Sequence, residues 1–260
     1  LVDLKYTYDK YTDMRIAVCG SACQGKSTLI NSIARTWPSY KVHESSYRKA
    51  IREKNLPINK NTTQDSQWEI LNCLVDDLQV YESGDKVLFD RCPLDNIVYS
   101  MWSEEKGISD IDSEFIKKCI PIVQNSMHHL DIIFYTPITK SAPIIPIPRE
   151  DREIDYTYIN EIDNIYKAIS YQLSHTNTSP LFPKEDRPPI IEIFGTPEER
   201  IEMIKFYLND NGDLIDDQSS ILSSENLDIM EKLIADHKDA KVSEDEWNKF
   251  KRNIILPGEE

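Results

Sequence analysis

The run Gly20-Ser21-Ala22-Cys23-Gln24-Gly25-Lys26-Ser27, followed by Thr28, limits what this chain can fold into more than any other feature. It fits G-x-x-x-x-G-K-[ST], a loop that wraps phosphate. The pattern carries weight only between a strand and a helix, and both are readable. Ile16-Ala17-Val18-Cys19 is a short apolar run of the kind that forms a buried strand. Leu29, Ile30, Ile33 and Ala34 then recur at helical spacing. Gly20 and Gly25 reach backbone angles that other residues avoid. The N–H groups of the loop and of the helix start then converge on an anion. In such a loop Lys26 reaches the β- and γ-phosphates and the Ser27 hydroxyl holds Mg²⁺, so residues 20–28 are predicted to bind a nucleoside triphosphate. No guanine-specifying N-K-x-D is present, which makes ATP the expected donor.

A second signal lies downstream. Lys86-Val87-Leu88-Phe89 reads as a strand that runs directly into Asp90-Arg91-Cys92-Pro93-Leu94-Asp95. A carboxylate closing an apolar strand after a phosphate loop has the form of a metal-orienting Walker B position. The competing reading is a helix cap paired with a buried arginine. Tyr40 to Glu44 is a plausible strand that sets Glu44 at its C-terminal end, the rim where parallel sheets bind ligands. Leu130 to Tyr135 and Pro189 to Gly195 are the remaining strands.

Helices are expected between the strands. One follows Ser45 or Ser46. One is capped by Thr62 or Thr63 and carries Trp68, Leu71, Leu74, Val75 and Leu78, with its end near Ser83-Gly84. Trp68 reads as a core tryptophan or as a ring that stacks on an acceptor, and Arg48 and Lys60 as solvated charges or phosphate contacts. A helix from Ser113 to His129 is expected to kink at Pro121. Thr196-Pro197-Glu198-Glu199 is a helix start with a cap, a first-turn proline and a capping-box glutamate. Strand and helix alternate five times, which predicts an α/β fold: a five-stranded parallel sheet with helices on both faces and right-handed crossovers.

Two segments fall outside that alternation. Residues 138–155 hold a proline-rich stretch followed by Arg149 and Arg152, and read as a lid that brings positive charge to a transferring phosphoryl group; a surface loop with solvated ion pairs is the other reading. The sequence divides into a phosphate-loop domain, 1–208, and an acidic linker with a helical extension, 209–260. That extension holds 14 acidic and 6 basic side chains, and the whole chain carries a net charge of −15. So acidic a chain is a poor candidate for tight, sequence-independent binding to nucleic acid, which relies on lysine and arginine. No apolar run approaches the about 20 residues that span a bilayer. Leu1 to Tyr6 lacks the apolar core of a secretory leader, and the five cysteines include no C-x-x-C pair, so the cytoplasm is the expected compartment, with reduced thiols.

These residues resemble the small-molecule kinases of the P-loop class, beside thymidylate and deoxynucleoside kinases, and most of all the NadR-like AAA group. The likeness is carried by Gly20 to Thr28, by Glu44 with Arg48, and by Asp90-Arg91 with Asp95 and Tyr99. Arg152, Ile162-Asp163 with Tyr166, and Gly195-Thr196-Pro197-Glu198-Glu199-Arg200 extend it, so that it spans about residues 14–208. The wording around Ser21 to Gln24 and Asp90 to Asn96 is similar to that of bacteriophage members. The resemblance implies an ATP- and Mg²⁺-dependent kinase acting on a nucleoside- or nucleotide-type acceptor, in the host cytoplasm if phage-encoded. Lys26, Asp90, Arg91, Arg152 and Glu44 are the expected catalytic residues, with Ser27 and Asp90 on the metal. Asp90 or Glu44 would take the acceptor's proton. Two alternatives stand beside this one: a kinase of 5-hydroxymethyluracil in DNA, as in phage thymine hypermodification, and a regulatory P-loop ATPase without a small-molecule acceptor.

Overall fold

The computed structural model describes residues 14–81, 84–139, 155–176, 179–183 and 187–215. Arg149 and Arg152, the N-terminal extension and the helices expected beyond residue 215 lie outside the described residues.

Among the described residues five strands form one sheet: β1 (Met14–Cys19), β2 (Lys41–Val42), β3 (Lys86–Asp90), β4 (Ile132–Tyr135) and β5 (Ile190–Glu192). Their spatial order is β2-β3-β1-β4-β5, and every pairing is parallel. Among the described residues seven α-helices accompany them: α1 (Lys26–Thr36), α2 (Ser46–Lys54), α3 (Gln64–Gln79), α4 (Pro93–Lys106), α5 (Ser113–Ser126), α6 (Tyr156–Thr176) and, after β5, α7 (Pro197–Ile204). The expected α/β sheet with helices on both faces is therefore present.

The period-two geometry of a strand explains why β1 is apolar throughout. Met14, Ile16 and Val18 point to one face and pack with Leu29, Ile30, Ile33 and Ile204 of α1 and α7. Ala17 and Cys19 point to the other and join Leu71, Leu94, Ile97 and Ile162 of α3, α4 and α6. Each fully buried Leu, Ile, Val or Met among them contributes about 1.5–3 kcal/mol. β1 is central, flanked by β3 and β4; the chain leaves it for β2 on one side and later crosses from β3 to β4 on the other, the change of direction that sets a ligand crevice at the carboxyl ends of these strands.

Several elements differ from the sequence expectation. β2 pairs over two residues only, and both are exposed at the edge of the sheet. β4 begins at Ile132 after a short 3-10 turn at Met127–His129, and β5 pairs over three residues. α3 stops at Gln79. α5 ends at Ser126 rather than at His129 and includes Pro121, which is exposed, so water can serve the carbonyl its missing N–H leaves free. Trp68 is not a core residue: it is 40% exposed, and its ring meets Phe115 edge to face. Leu71, Leu74 and Leu78 of the same helix are buried as expected.

The start of the acidic stretch is docked. Trp37 Nε1 donates to the Asn209 carbonyl at 2.8 Å and the Tyr40 hydroxyl to the Gly212 carbonyl at 2.7 Å. Lys86 pairs with Asp213 and donates to the Asn211 carbonyl. These contacts fold residues 209–215 back onto the region of α1 and β3.

Candidate active site

The phosphate-type loop leaves β1 at Gly20. Thr136, the first residue past β4, bonds the Cys19 carbonyl through both its N–H (3.1 Å) and its hydroxyl (3.2 Å). That brings it so close to Gly20 (φ 139°) that a Cβ there would lie 2.6 Å from the threonine hydroxyl. Only glycine fits. Cys23 and Gly25 are left-handed as well (φ 64° and 74°). Left-handed residues interleaved with ordinary ones turn successive N–H groups inward, the geometry of an anion nest. Ser21 is fully buried and its hydroxyl has no partner among the described residues.

Gly25 also caps α1, whose first turn has no acidic residue to compete with a bound anion. Ser27 and Thr28 are exposed on that turn, while Lys26 is only 7% exposed. The Lys26 ammonium donates to the Ser21 carbonyl at 2.7 Å, within its own loop. Burial pushes its pKa down to about 8; the Arg91 charge acts in the same direction, and Asp90 and Asp95 oppose it.

Asp90 closes β3 beside that loop. One carboxylate oxygen accepts from Arg48 at 2.6 Å; the other is buried without a partner among the described residues. The Asp90 carbonyl accepts from the Ser45 hydroxyl at 3.2 Å, which ties the start of α2 to the end of β3. Arg48 is therefore not simply a solvated charge, although it is half exposed. Lys60 likewise has a partner, Asp155. Glu44 is exposed, two residues beyond the last β2–β3 pair, Val42 with Leu88, so the parallel register carries it to the level of Asp90.

Arg91 departs from the strand in a left-handed conformation (φ 90°), which costs a non-glycine residue about 1–2 kcal/mol. The geometry is held by its N–H, which bonds the Val18 carbonyl of β1 at 3.1 Å. It is held also by its guanidinium, which donates to Asp95 at 2.7 Å and lies 5.2 Å from the Tyr99 ring. Burial opposes the guanidinium charge, but Tyr99, Tyr47 and Asp95 outweigh it and keep the pKa well above its usual value. Backbone strain stored next to a carboxylate at a sheet rim is a mark of a functional position. The helix cap that competed with this reading is supplied by other residues: Asp95 accepts from the Cys92 N–H at 3.0 Å at the start of α4.

The structure thus brings residues 20–28, Asp90 and Arg91 to one rim, with Glu44 at its exposed edge. Arg152 lies outside the described residues. Mg²⁺ fits what is present. Asp90 offers an unpartnered buried carboxylate oxygen and Ser27 an exposed hydroxyl, both hard oxygen donors. An ion of this kind takes only one or two protein ligands when phosphates and water complete its shell.

Sequence reasoning gave no specific role to two further features. Asp163 is buried on α6; it accepts from the Tyr135 hydroxyl (2.6 Å), the Ile138 N–H (3.1 Å) and Lys167 (2.9 Å). Burial raises its pKa, against the pull of Lys167. Together these bonds fix the chain where it leaves β4 at the rim. Arg200 of α7 is buried and bonds the Gln24 carbonyl of the phosphate-type loop. No helix among the described residues is long and apolar enough to cross a membrane.

A family model described as an AAA domain matches residues 15–177. No curated protein matches the chain. Among solved structures, deoxyadenosine kinase from M. mycoides with bound dCMP and dCDP superposes with a TM-score of 0.52 at 19% identity, over 74% of this chain and 96% of that one. With bound dATP it superposes with a TM-score of 0.51 at 18% identity, over 85% and 98%. NadR protein in complex with NR gives a TM-score of 0.48 at 14% identity, over 91% of this chain and 54% of that one. The chain therefore spans about half the length of the NadR structures it matches. At such identities the likeness to the deoxyadenosine kinase is one of fold.

Proposed function

The chain belongs to the AAA domain family, and from that premise we propose that it is an ATP-dependent kinase acting on a nucleoside- or nucleotide-type acceptor. The observation that carries this reading is the meeting, at one rim, of the self-bonded Lys26 loop with Asp90 and the strained Arg91. The likeness of fold to a kinase that binds deoxynucleotides adds support.

In this reading the N–H groups of residues 20–28 and the start of α1 hold the triphosphate. Lys26 exchanges the Ser21 carbonyl for the β- and γ-phosphate oxygens. Ser27 and Asp90 would hold Mg²⁺, which when bound would supply positive charge to the transferring phosphoryl group. The acceptor oxygen attacks the γ-phosphorus as the bond to the β–γ bridging oxygen breaks. Where the acceptor is a hydroxyl, its proton passes to Asp90 or Glu44. Arg91, fixed by Asp95 and Tyr99, orients the acceptor or steadies the moving phosphoryl group. Arg152 is assigned by its sequence position to close over the same charge. Little covalent work is required of the protein; positioning and charge neutralisation carry the step.

The test offers γ-labelled ATP and Mg²⁺ with a panel of acceptors: deoxynucleosides, their monophosphates, nicotinamide riboside, and DNA with or without 5-hydroxymethyluracil. Label in a free acceptor is the expected result and names the substrate. Label only in modified DNA transfers the activity to a base within DNA. Label only as free phosphate makes the protein a hydrolase. In every case Lys26→Ala is expected to abolish turnover while leaving the fold intact, and full activity in that variant overturns the reading.

A further inference from the structure

Among the described residues two cationic side chains are buried, Lys26 and Arg200, and the mechanism above uses only the first. Arg200 is 4% exposed. Its Nε donates to the Gly195 carbonyl at 3.0 Å, where the chain leaves β5, and its Nη1 donates to the Gln24 carbonyl at 2.8 Å. Burial pushes the guanidinium down to about 10, and no carboxylate among the described residues offsets that shift. A buried cation without a carboxylate is costly, and it persists where something else needs the charge.

The geometry at Gln24 indicates what needs it. The peptide joining Gln24 to Gly25 is trans, so its carbonyl and its N–H point in opposite directions. Arg200 holds the carbonyl end. The Gly25 N–H must then face away from Arg200, into the loop. Gly25 can adopt this orientation because it is left-handed (φ 74°) and has no side chain. A hydrogen bond from a cation to one end of a peptide also polarises the other end and strengthens it as a donor.

We propose that Arg200 is a positioning residue of the phosphate site: it sets the Gln24–Gly25 peptide so that the Gly25 N–H is aimed and polarised toward the nucleotide phosphates. It does so from α7, an element 176 residues along the chain from the loop. The inference rests on the reading that residues 20–28 hold a nucleotide, and it assigns Arg200 no contact with substrate. A bolt that merely fastened α7 to the loop would need no charge on it.

The experiment compares the full-length protein with Arg200→Met and Arg200→Lys. ATP affinity is measured by calorimetry in the presence of Mg²⁺, and the Gly25 amide proton is followed by nuclear magnetic resonance as ATP is added. Methionine is expected to weaken ATP binding about tenfold, the worth of roughly one charge-assisted hydrogen bond. It is also expected to shrink the downfield movement of the Gly25 amide. Lysine keeps the charge and can reach one carbonyl, so it should fall between. Wild-type affinity together with a wild-type Gly25 response in folded Arg200→Met overturns the inference. If Arg200→Met does not fold, Arg200→Lys decides: a weaker affinity with a smaller Gly25 shift supports it, and no change in either overturns it. A wild-type protein that binds no nucleotide overturns the underlying reading, and this inference with it; that outcome is distinct from one in which wild type binds and the variants do so equally well.

Discussion

Lys26 is charged at neutral pH, nearly buried, and satisfied by a single carbonyl. Its pKa falls from 10.5 to about 8 on folding. Below pH 8 the side chain is protonated in both states, so the folded state bears the whole cost. Between pH 8 and 10.5 the unfolded chain binds more protons, so the folded state regains that stability as the pH rises. Lys26→Met is therefore expected to stabilise the empty protein at pH 7 by about 2 kcal/mol, after allowing for the lost bond to the Ser21 carbonyl. The advantage should vanish near pH 10.5, which urea midpoints at the two pH values would reveal. Asp90 illustrates a different exchange. Its second carboxylate oxygen is buried without a partner among the described residues, and in the proposed reaction an ion or the acceptor proton would occupy it. Asp90→Asn should lower kcat by about 100-fold or more with little change in melting temperature. Arg48, engaged on the other oxygen, stood out in the sequence as a solvated charge or phosphate contact and as part of the family likeness, but not as the partner of Asp90, which lies 42 residues away.

At the scale of elements, caps and turns were legible wherever the signal was local. α7 starts as its sequence requires, with Thr196 accepting from the Glu199 N–H and the Glu199 carboxylate returning to the Thr196 N–H. Thr196→Ala should cost about 1 kcal/mol in chemical denaturation. Thr63 caps α3 in the same manner, with Ser66 as the reciprocal partner, and Gly107 ends α4 in a left-handed conformation. Strand lengths were less legible. Tyr40 reads as part of a strand, yet its hydroxyl is spent on Gly212 and the ladder begins one residue later. The apolar spacing of α3 fixed Leu71, Leu74 and Leu78 as core but misassigned Trp68. Periodicity identifies a face of a helix, not how far the neighbouring helix extends along it.

For the whole molecule the governing fact is the central position of β1. The loop that follows it opens into the crevice between β3 and β4, and everything bound there bears on the stability of the entire sheet. A ligand that binds only the folded state at 100 times its Kd adds about 2.7 kcal/mol. MgATP at such a concentration is expected to raise the melting temperature, and chelating the metal should remove part of that rise. A melting temperature indifferent to MgATP would contradict the nucleotide site. The net charge of −15 gives no comparable information about the fold; it bears on solubility and on association with other charged molecules.

The phosphate-type loop, the alternation of strands and helices, and the carboxylate at the end of β3 were all readable from the order of the residues. Each is written in contiguous residues, through backbone angles, periodicity or a helix cap, and needs no distant partner. The tertiary structure alone decided that Arg48 would meet Asp90, that Thr136 would press on Gly20, and that Arg200 would reach the Gln24 carbonyl. Those meetings depend on strand order and on which helix covers which face. The chain sets them by packing its two apolar faces at once, and no local pattern records the outcome.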